Sequence, residues 1–453
     1  LSGTYTIGGT TPDFATLKDA VSDLNQFFTC GPVVFKIRDG IYNEQIELDS
    51  IPTVSAVNTI TFESESLDSS AVTIQYAPTT GDHPAVFMLR GTDHVIIRHL
   101  GFKALPSTWA DCIELRYNSK YIQISHCYLE AYEFGGSSGI GIKSLCYGSP
   151  RNEFLTIDHN YFYKGQQAIY LYNCGNFLQD IHIEENTFVN QRYTCMDLNF
   201  TAGLYIKNNI ISTNTSNSNY KGIDLSTANG DMDISGNIMT LDNIGDGMFL
   251  NGVNYGANLG TARVYNNMIK TASTGGGIRL WNCEAVLVAF NSCNMTGSGP
   301  AFEAAGGDSL TIQNNIFVSN TGKAFGSFAW TPHVWSDHND LLTVSGNIGF
   351  WHDTLYATFE DWQAGTHFDS NSMSITPQFV SPSDLHVLAD TLDGAGIPIA
   401  GISTDIDSNP RHANSPDIGA DEIGANDNDA GVFAILPEMP FARGLQPVKA
   451  VIR

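Results

Sequence analysis

Apolar and polar residues alternate along most of this chain in a phrase that returns about ten times. Each copy has alternating apolar residues, one or two polar turn residues that usually end in Asn, and another apolar residue. Examples are LTIDHNYF from Leu155, LYIKNNII from Leu204 and LTIQNNIF from Leu310. The third residue of each copy falls at 97, 124, 157, 183, 206, 234, 264, 288, 312 and 336, so successive copies lie 23 to 33 residues apart. Alternation with period two predicts short strands, and a repeat of this length predicts a solenoid.

A further strand is predicted immediately before most copies. It reads CIELRYN from Cys112, AIYLYNC from Ala168 and GIDLST from Gly222. Stacked coils with two or more strands each would pair as parallel neighbours roughly 4.8 Å apart. The sequence therefore predicts an all-β chain, a single-stranded right-handed parallel β-helix of about 10–12 coils.

A column of Asn residues follows the repeat. It contains Asn160, Asn186, Asn209, Asn237, Asn267, Asn291, Asn315 and Asn339. Asn tolerates the left-handed conformation that a tight corner requires, and stacked amides can hydrogen-bond from one coil to the next. We expect these residues to form the corners of the coils and to bond along the axis.

The repeat divides the chain into four predicted parts. Residues 1–32 form an N-terminal cap with a short helix, whose apolar face carries Phe14, Leu17, Val21 and Leu24, and residues 33–345 form the β-helix. Residues 346–424 form an irregular C-terminal cap, in which the aromatic-rich stretch 346–369 covers the last coil. Residues 425–453 read as a linker and the start of a following β-domain. The sequence opens without a signal peptide, so we expect a processed or excised segment.

Composition limits the classes of partner. The 453 residues carry a formal net charge of −25 although only 15% are charged, which argues against nucleic acid because phosphate binding requires a basic stripe. The sequence contains no run of about twenty apolar residues, so it predicts no membrane-spanning helix. The eight Cys lack a CxxC motif and recur at apolar repeat positions, as Cys112 and Cys195 do, so we expect mostly buried thiols rather than disulfides or a zinc site.

Alternation also predicts which side chains face outward on the strand before each Asn-containing copy. One predicted outward column contains Phe87, Glu114, Gly141, Tyr170, Asp197, Asp224, Phe249, Arg279 and Glu303. The second contains Leu89, Arg116, Lys143, Tyr172, Asn199, Ser226, Asn251, Trp281 and Ala305. Aromatic faces cover the apolar side of sugar rings, and charged or amide groups bind hydroxyls and uronates. The predicted glycan-binding residues are Glu114, Tyr170, Tyr172, Asn199, Arg279 and Trp281.

Two groups on this surface could carry catalysis. Asp197 and Asp224 fall on successive coils, so they could act as paired carboxylates of a glycosidase, bind Ca²⁺ or form a structural pair. Arg116 and Lys143 are predicted to be neighbours in one column close to Tyr172, the residue types that a uronate lyase needs to neutralise a carboxylate and remove a proton. The column of His99, His126 and His159 could bind a metal, but a stack of mostly neutral corner imidazoles is the simpler interpretation.

Two stretches of sequence resemble known families. The helix, strand and GIYNEQI of Phe14–Ile46 resemble the entry of the pectate-lyase-like superfamily, pectin methylesterases in particular. TYTIGG with PDFATL (Thr4–Leu17) and DIDSNPR with DIGADE (Asp405–Glu422) resemble secreted β-helix proteins of Bacteroidetes-type bacteria. The first resemblance implies two Asp and one Arg, here Asp197, Asp224 and Arg279, but the DFIFG and GRPW blocks of methylesterases are missing. The second implies export by the type IX route.

These observations leave two classes of function open. The first is a secreted or cell-surface adhesive segment that binds polysaccharide through the outward face without turning it over. The second is a polysaccharide lyase or glycoside hydrolase that uses the same face, with Ca²⁺ as a possible cofactor. The regular repeat and the incomplete catalytic sets favour the first.

Overall fold

The computed structural model describes residues 1–133, 139–145, 152–173, 177–242, 245–256, 260–272, 274–328, 331 and 333–424, together with the backbone of Val432–Pro437 and Val448–Ile452. The chain winds into about twelve coils, each with three short strands that pair in parallel with the coils before and after it. The three strands of a coil form the three long faces of the solenoid, here called faces A, B and C in the order in which they follow one another along the chain. The predicted fold class is confirmed.

Face A contains the strand that precedes the repeated phrase. Its strands are Ile46–Asp49, Ala85–Arg90, Asp111–Arg116, Ile140–Ser144, Gln167–Tyr172, the first part of Thr194–Lys207, the first part of Lys221–Ser235, Asp246–Val253, Ile278–Glu284, Phe302–Asp308, Phe325–Ser327 and Gly349–Trp351. The last strand also pairs antiparallel with Thr354–Tyr356. The β-helix thus extends into the segment 346–424 that was predicted to be only a cap.

Face B contains the first strand of the repeated phrase. Its strands are Gly3–Ile7, Val33–Ile37, Ile60–Ser64, Val95–Arg98, Ile122–Ser125, Leu155–Asp158, Leu178–Glu184, the second part of Thr194–Lys207, the second part of Lys221–Ser235, Ala262–Tyr265, Val286–Ala289, Leu310–Gln313 and Val334–Asp337. The register confirms the predicted alignment, since Ile124 pairs with Ile157 and Val264 with Val288. The strand Gly3–Ile7 adds to this face inside the predicted N-terminal cap.

Face C contains the strand after the Asn column. Its twelve strands are Gly40–Asn43, Val72–Tyr76, Gly101–Ala104, Tyr128–Ala131, Tyr161–Lys164, Thr187–Val189, Ile210–Thr213, Ile238–Leu241, Met268–Thr271, Ser292–Met295, Ile316–Ser319 and Asp340–Thr343. The inward side chains of all three faces form one continuous apolar core along the axis.

Helices cover both ends of the core, of which only the N-terminal one was predicted. The helix Leu17–Phe27 begins at Thr16, whose hydroxyl accepts from the backbone of Asp19, and buries Leu17, Ala20, Val21 and Leu24. At the other end, the helix Phe359–Thr366 places Trp362, which is fully buried, 5.1 Å from the ring of Phe325. Neither helix is long and apolar enough to cross a bilayer.

The segment 377–424, here called the strap, does not lie over the end of the solenoid. It runs back along the outside, where the hairpin of Phe379–Ser381 and Asp384–Val387 and the 3₁₀ turn Asp390–Leu392 pack on late coils. Asn266 and Asn314 donate hydrogen bonds to strap carbonyls at Thr404 and Ile397. This position corrects the prediction of an end cap, and its physical reason is that face C presents outward apolar residues that need cover. The strands Val432–Pro437 and Val448–Ile452 pair with each other antiparallel.

The Asn column is a hydrogen-bonded ladder, as predicted, but its conformational role was misassigned. The side-chain oxygen of Asn237, for example, accepts from the backbone and side-chain amides of Asn209, while its own amide donates to Asn267. The left-handed corner is occupied by the residue before each Asn, such as His159 or Glu185, with φ of 56° and 57°. The ladder ends where the side-chain amide of Asn339 donates to the buried carboxylate of Asp369. Each Asn is therefore selected by bonding along the axis rather than by positive φ.

Candidate functional site on face A

The outward residues of face A form two rows along the axis, and the structure gives their register. Row one contains Met88, Glu114, Lys143, Tyr170, Asp197, Asp224, Phe249, Arg279 and Glu303. Row two contains Arg90, Arg116, Tyr172, Asn199, Ser226, Asn251, Trp281 and Ala305. The predicted columns are confirmed from Tyr170 to Glu303 and from Tyr172 to Ala305.

The predicted columns are wrong on the earlier coils. Phe87 and Leu89 are fully buried and face inward, and Gly141 lies beside Ala168, inside the corner. A Cβ on Gly141 would lie 2.6 Å from the carbonyl oxygen of Ala168, so any residue other than glycine would displace the backbone here. Lys143 consequently belongs to row one and not to the row of Arg116, and the predicted column of two cations does not form.

The cause of the error is that most strands of face A have two successive inward residues near their start. A small residue is followed by a large one, as in Ala168–Ile169 and Cys195–Met196, all of which are buried. Strict alternation fails at that step, and the residue before the pair returns to the outer side. This produces a further outward row of Gln167, Thr194, Lys221 and Asp246, which the sequence analysis missed. The repeated small–large pair is the signal that could have found it.

The N-terminal part of face A is a closed set of ion pairs, here called the sealed cluster (Asp111, Glu114, Arg116 and Lys143). The ammonium of Lys143 lies 2.9 Å from Asp111, and a guanidinium nitrogen of Arg116 lies 2.9 Å from Glu114. The four residues are 0 to 8% exposed, and burial raises the pKa of Glu114 despite its pairing with Arg116. All four ionic groups are thus removed from solvent.

Loop backbone completes the closure of this cluster. Arg116 also donates to the carbonyl oxygens of Asp82, at 2.9 Å, and Gly81, at 3.3 Å. The second carboxylate oxygen of Asp111 accepts from the backbone amides of Gly139 and Ile140. The predicted glycan-binding residue Glu114 and the predicted catalytic residues Arg116 and Lys143 therefore point outward from the strand but are covered, and their predicted roles are untested.

The middle of face A, from Tyr170 and Tyr172 to Trp281, is partly exposed and is here called the open stretch. Its centre is here called the carboxylate site (Gln167, Asp197, Lys221 and Asp224). Asp197 and Asp224 pair directly across neighbouring coils, as predicted. The amide of Gln167 donates to Asp197 at 2.9 Å, and the ammonium of Lys221 donates to Asp224 at 2.6 Å. The neighbouring rings of Tyr170 and Tyr172 are stacked at 6.2 Å and both are partly exposed.

The two carboxylates of this site differ in their surroundings. Partial burial and the nearby charge of Asp224 raise the pKa of Asp197 to about 6, against the weaker opposing effects of Gln167 and Lys221. Burial and the charge of Asp197 raise the pKa of Tyr170. One of the two adjacent carboxyls thus keeps its proton up to mildly acidic pH. Such a pair can supply both an acid and a base.

Aromatic rings and a second ion-pair group close the open stretch at its C-terminal end. The guanidinium of Arg279 lies between Asp246, at 3.2 Å, and Glu303, at 2.9 Å. Burial lowers the pKa of Arg279, but these two carboxylates outweigh it and raise the pKa overall. Trp281 donates its indole N–H to Glu303 at 3.1 Å and remains 37% exposed, with its ring 5.2 Å from Phe249. Trp281 is accessible, whereas Arg279 is largely occupied by its partners.

Comparison with known proteins identifies the type of solenoid. The family model described as "Right handed beta helix region" matches residues 138–348. The fold is a right-handed parallel β-helix. No curated protein matches the chain.

Solved structures similar to this β-helix have low sequence identity. A PL6-family alginate lyase has a TM-score of 0.51 at 12% identity over 86% of this chain, but the chain spans only 56% of that protein. A periplasmic alginate epimerase has a TM-score of 0.49 at 12% identity, over 77% of this chain and 82% of that one. The surface protein and adhesin PfbA of Streptococcus pneumoniae has a TM-score of 0.37 at 15% identity, over 74% and 94%. At these identities the likeness shows the fold alone.

The β-helix has other groups that could be taken for metal sites. Among the described residues, two sets place three possible ligand atoms within 4.8 Å of one another, namely His126, Asp158 and His159, and His386, Asp407 and Asp421. His126 and His159 stack at 4.7 Å, which confirms the predicted stack of corner imidazoles. The ring nitrogens of His386 lie 2.5 Å from Asp384 and 2.9 Å from Asp407. Burial lowers the pKa of His386, but these hydrogen bonds outweigh it and raise the pKa to about 9.

The cysteines have a structural role, as predicted. The described cysteines are Cys30, Cys112, Cys127, Cys195, Cys283 and Cys293; none forms a disulfide, and all but Cys30 are buried. Burial raises the pKa of Cys127 and of Cys283 to about 12, so these thiols stay protonated and unreactive. Cys146 and Cys174 lie outside the described residues.

Proposed function

We propose that this β-helix binds polysaccharide through the open stretch of face A, as an adhesive domain of a secreted or cell-surface protein. The observation that carries the proposal is the partly exposed aromatic side chains of Tyr170, Tyr172 and Trp281 on the same outward rows as Asp197 and Asn199. The proposed surface location rests on the resemblance of Thr4–Leu17 and Asp405–Glu422 to exported β-helix proteins.

The chemistry of this stretch fits sugar. Aromatic rings pack against the apolar face of a pyranose, while carboxylate and amide groups bind its hydroxyls. From Tyr172 to Trp281 row two advances four coils, through Asn199, Ser226 and Asn251. At about 4.8 Å per coil this is roughly 19 Å, the length of a short oligosaccharide laid along the axis.

A second candidate function is glycoside hydrolysis at Asp197 and Asp224. The specific observation in its favour is the raised pKa of Asp197 beside a second carboxylate. The lyase alternative is less well supported, because Lys143 and Arg116 are enclosed in the sealed cluster and only Tyr172 remains accessible. Calcium remains a further proposal for the same carboxylates, but Lys221 already neutralises part of their charge.

A panel of polysaccharides tests the proposal. Alginate, polygalacturonate and neutral glucans are assayed by affinity electrophoresis and calorimetry, while absorbance of unsaturated ends and release of reducing sugar report turnover. Binding without turnover supports adhesion. Turnover that is abolished in Asp197→Asn would contradict adhesion and support the hydrolase. A lack of binding to every member of the panel would reject both proposals.

Two tryptophans provide a matched pair of variants. Trp281 lies on the open stretch and Trp109 lies beside Gly81, over the sealed cluster, and they are 37% and 36% exposed. Trp281→Ala is expected to weaken binding about 10- to 100-fold, the usual cost of removing a main aromatic contact from a binding surface. Trp109→Ala should leave affinity within about two-fold. The reverse result would move the site off the open stretch.

A further inference from the structure

The outward residues of face C divide into a covered and an uncovered half. On late coils several outward residues are aliphatic and cluster with the strap: Met268 lies in one cluster with Leu385, and Ile316 and Val318 lie in another with Val387 and Leu392. On earlier coils the outward residues include Tyr128, Tyr161 and Tyr163, and none of these three shares a cluster with a described residue of the strap. Within the described residues, the strap therefore covers late coils of face C and not the coils of these tyrosines.

The three tyrosines line a groove across neighbouring coils. Tyr128 pairs with Tyr161 and Glu130 with Tyr163, so the rings occupy adjacent positions on two strands. The rings of Tyr128 and Tyr161 are stacked at 5.7 Å. The groove encloses about 440 Å³, with Ser70 on one wall. This volume lies within the range of small-ligand sites and is too small for a folded domain.

Two of the three charged groups that line the groove neutralise each other. Lys103 and Glu130 form a partly exposed ion pair at 2.8 Å, and the ammonium of Lys164 lies 4.8 Å from the ring of Tyr163. Burial raises the pKa of Tyr161 to about 12, so its hydroxyl stays protonated and can donate. The hydroxyl of Tyr128 has no hydrogen-bond partner among the described residues. The groove thus combines ring faces with hydroxyl, ammonium and carboxylate groups.

We propose that this groove is a second carbohydrate site, which binds a neutral pyranose unit by stacking on Tyr163 and Tyr161. Lys103 and Glu130 supply a donor and an acceptor for sugar hydroxyls, and because they neutralise each other, Lys164 is the one lining cation among the described residues that would favour a uronate. The strap packs largely on aliphatic side chains of the late coils, whereas amphipathic tyrosines suit a ligand that exchanges with water. The site goes beyond the proposed function, because it lies on a different face and takes a different class of sugar.

Isothermal titration with cellohexaose, xylohexaose and mannohexaose tests the site. Wild-type protein is expected to bind at least one of these neutral probes saturably, and Tyr163→Ala should weaken that binding at least 10-fold. Tyr205→Ala is the matched control, since Tyr205 is also outward and half-buried but stacks on His182 of face B. Tyr128→Phe, which removes only a hydroxyl, provides a variant that should fold normally and should weaken binding about three-fold.

The two sites can fail independently. Neutral-probe binding that survives Trp281→Ala but not Tyr163→Ala supports a site on face C. Loss in Trp281→Ala with retention in Tyr163→Ala would place the neutral sugar on face A and overturn the proposal. Absence of saturable binding to all three probes would also overturn it, while alginate or polygalacturonate binding on face A would be unaffected by that result.

Discussion

The sealed cluster and the carboxylate site lie on the same face and are built from the same residue types, yet only one of them is accessible. Each contains a lysine–aspartate pair, Lys143 with Asp111 at 2.9 Å and Lys221 with Asp224 at 2.6 Å. The side chains of the first pair are 10% and 0% exposed, whereas those of the second are 25% and 20% exposed. The side chains of both pairs point outward from the strands of face A. The difference in their exposure therefore comes from the loop residues that cover the first pair and not the second.

This difference changes what each charge can do. Each ion of a buried pair depends on its partner, because the free-energy cost of removing the ion from water is large and only the pairing offsets it. A half-exposed pair is stabilised by water as well, so either charge can turn to a ligand at small cost. An outward charge on a solenoid is therefore a candidate for function only where the coil above and the loops beside it leave it in contact with solvent.

The largest expected effect distinguishes the two lysines. Lys143→Met leaves the carboxylate of Asp111 buried without its cation, and we expect the free energy of unfolding to fall by about 3 to 5 kcal/mol. Lys221→Met removes a part-exposed pair and a contact with the ring of Phe249, at a cost of about 1 kcal/mol. Urea unfolding followed by circular dichroism measures both.

Equal losses for the two variants would contradict the comparison. A lysine that acts as a catalytic base gives a different result again, namely turnover abolished with stability nearly unchanged. Polysaccharide turnover is therefore measured on the same two preparations. It shows whether Lys143 has a structural role or the catalytic role that its residue type suggested.

The sequence predicted the fold because the physical constraint that sets the coil is local and repeats. Alternating apolar residues and an Asn after most corners appear directly in the sequence, so the pairing of Ile124 with Ile157 could be predicted from the repeat. The pairing of Asp197 with Asp224 followed from the same register. The burial of Arg116 could not, because it depends on the carbonyls of Gly81 and Asp82, some 35 residues earlier in the chain. Loop placement leaves no periodic signal.

The next largest loss of stability is expected at Arg279, in the ion-pair group at the C-terminal end of the open stretch. Arg279→Met removes the cation shared by Asp246 and Glu303, whose side chains are 10% and 5% exposed. We expect a loss of about 2 kcal/mol in the free energy of unfolding, smaller than for Lys143 because the guanidinium is 23% exposed. Arg263→Met is a suitable control, since its pair with Asp233 lies on face B and is similarly exposed. A loss of glycan affinity with unchanged stability would instead assign Arg279 directly to the ligand.

The smallest effect in free energy is a pH dependence that only the open site should show. The pKa of Asp197 is raised from its ordinary value of 3.8 to about 6, so the folded state holds this proton more tightly than the unfolded chain does. The stabilisation is complete below pH 4 and is lost as the pH rises through about 6. Asp197→Asn, which is always neutral, should therefore match wild type at pH 4 and exceed its stability by about 1 to 2 kcal/mol at pH 7.

An aspartate with the opposite shift provides the control for that measurement. The hydrogen bond from His333 lowers the pKa of Asp308, so Asp308→Asn should reduce stability at pH 7, the reverse of the change expected for Asp197→Asn. Unfolding midpoints at several pH values between 4 and 7 give both signs in one experiment. A stability difference for Asp197→Asn that does not change with pH would mean that this carboxyl is already ionised at pH 4. Asp197 would then resemble an ordinary exposed carboxylate, and the hydrolase alternative would lose its proton donor while glycan binding on the same face would not be affected.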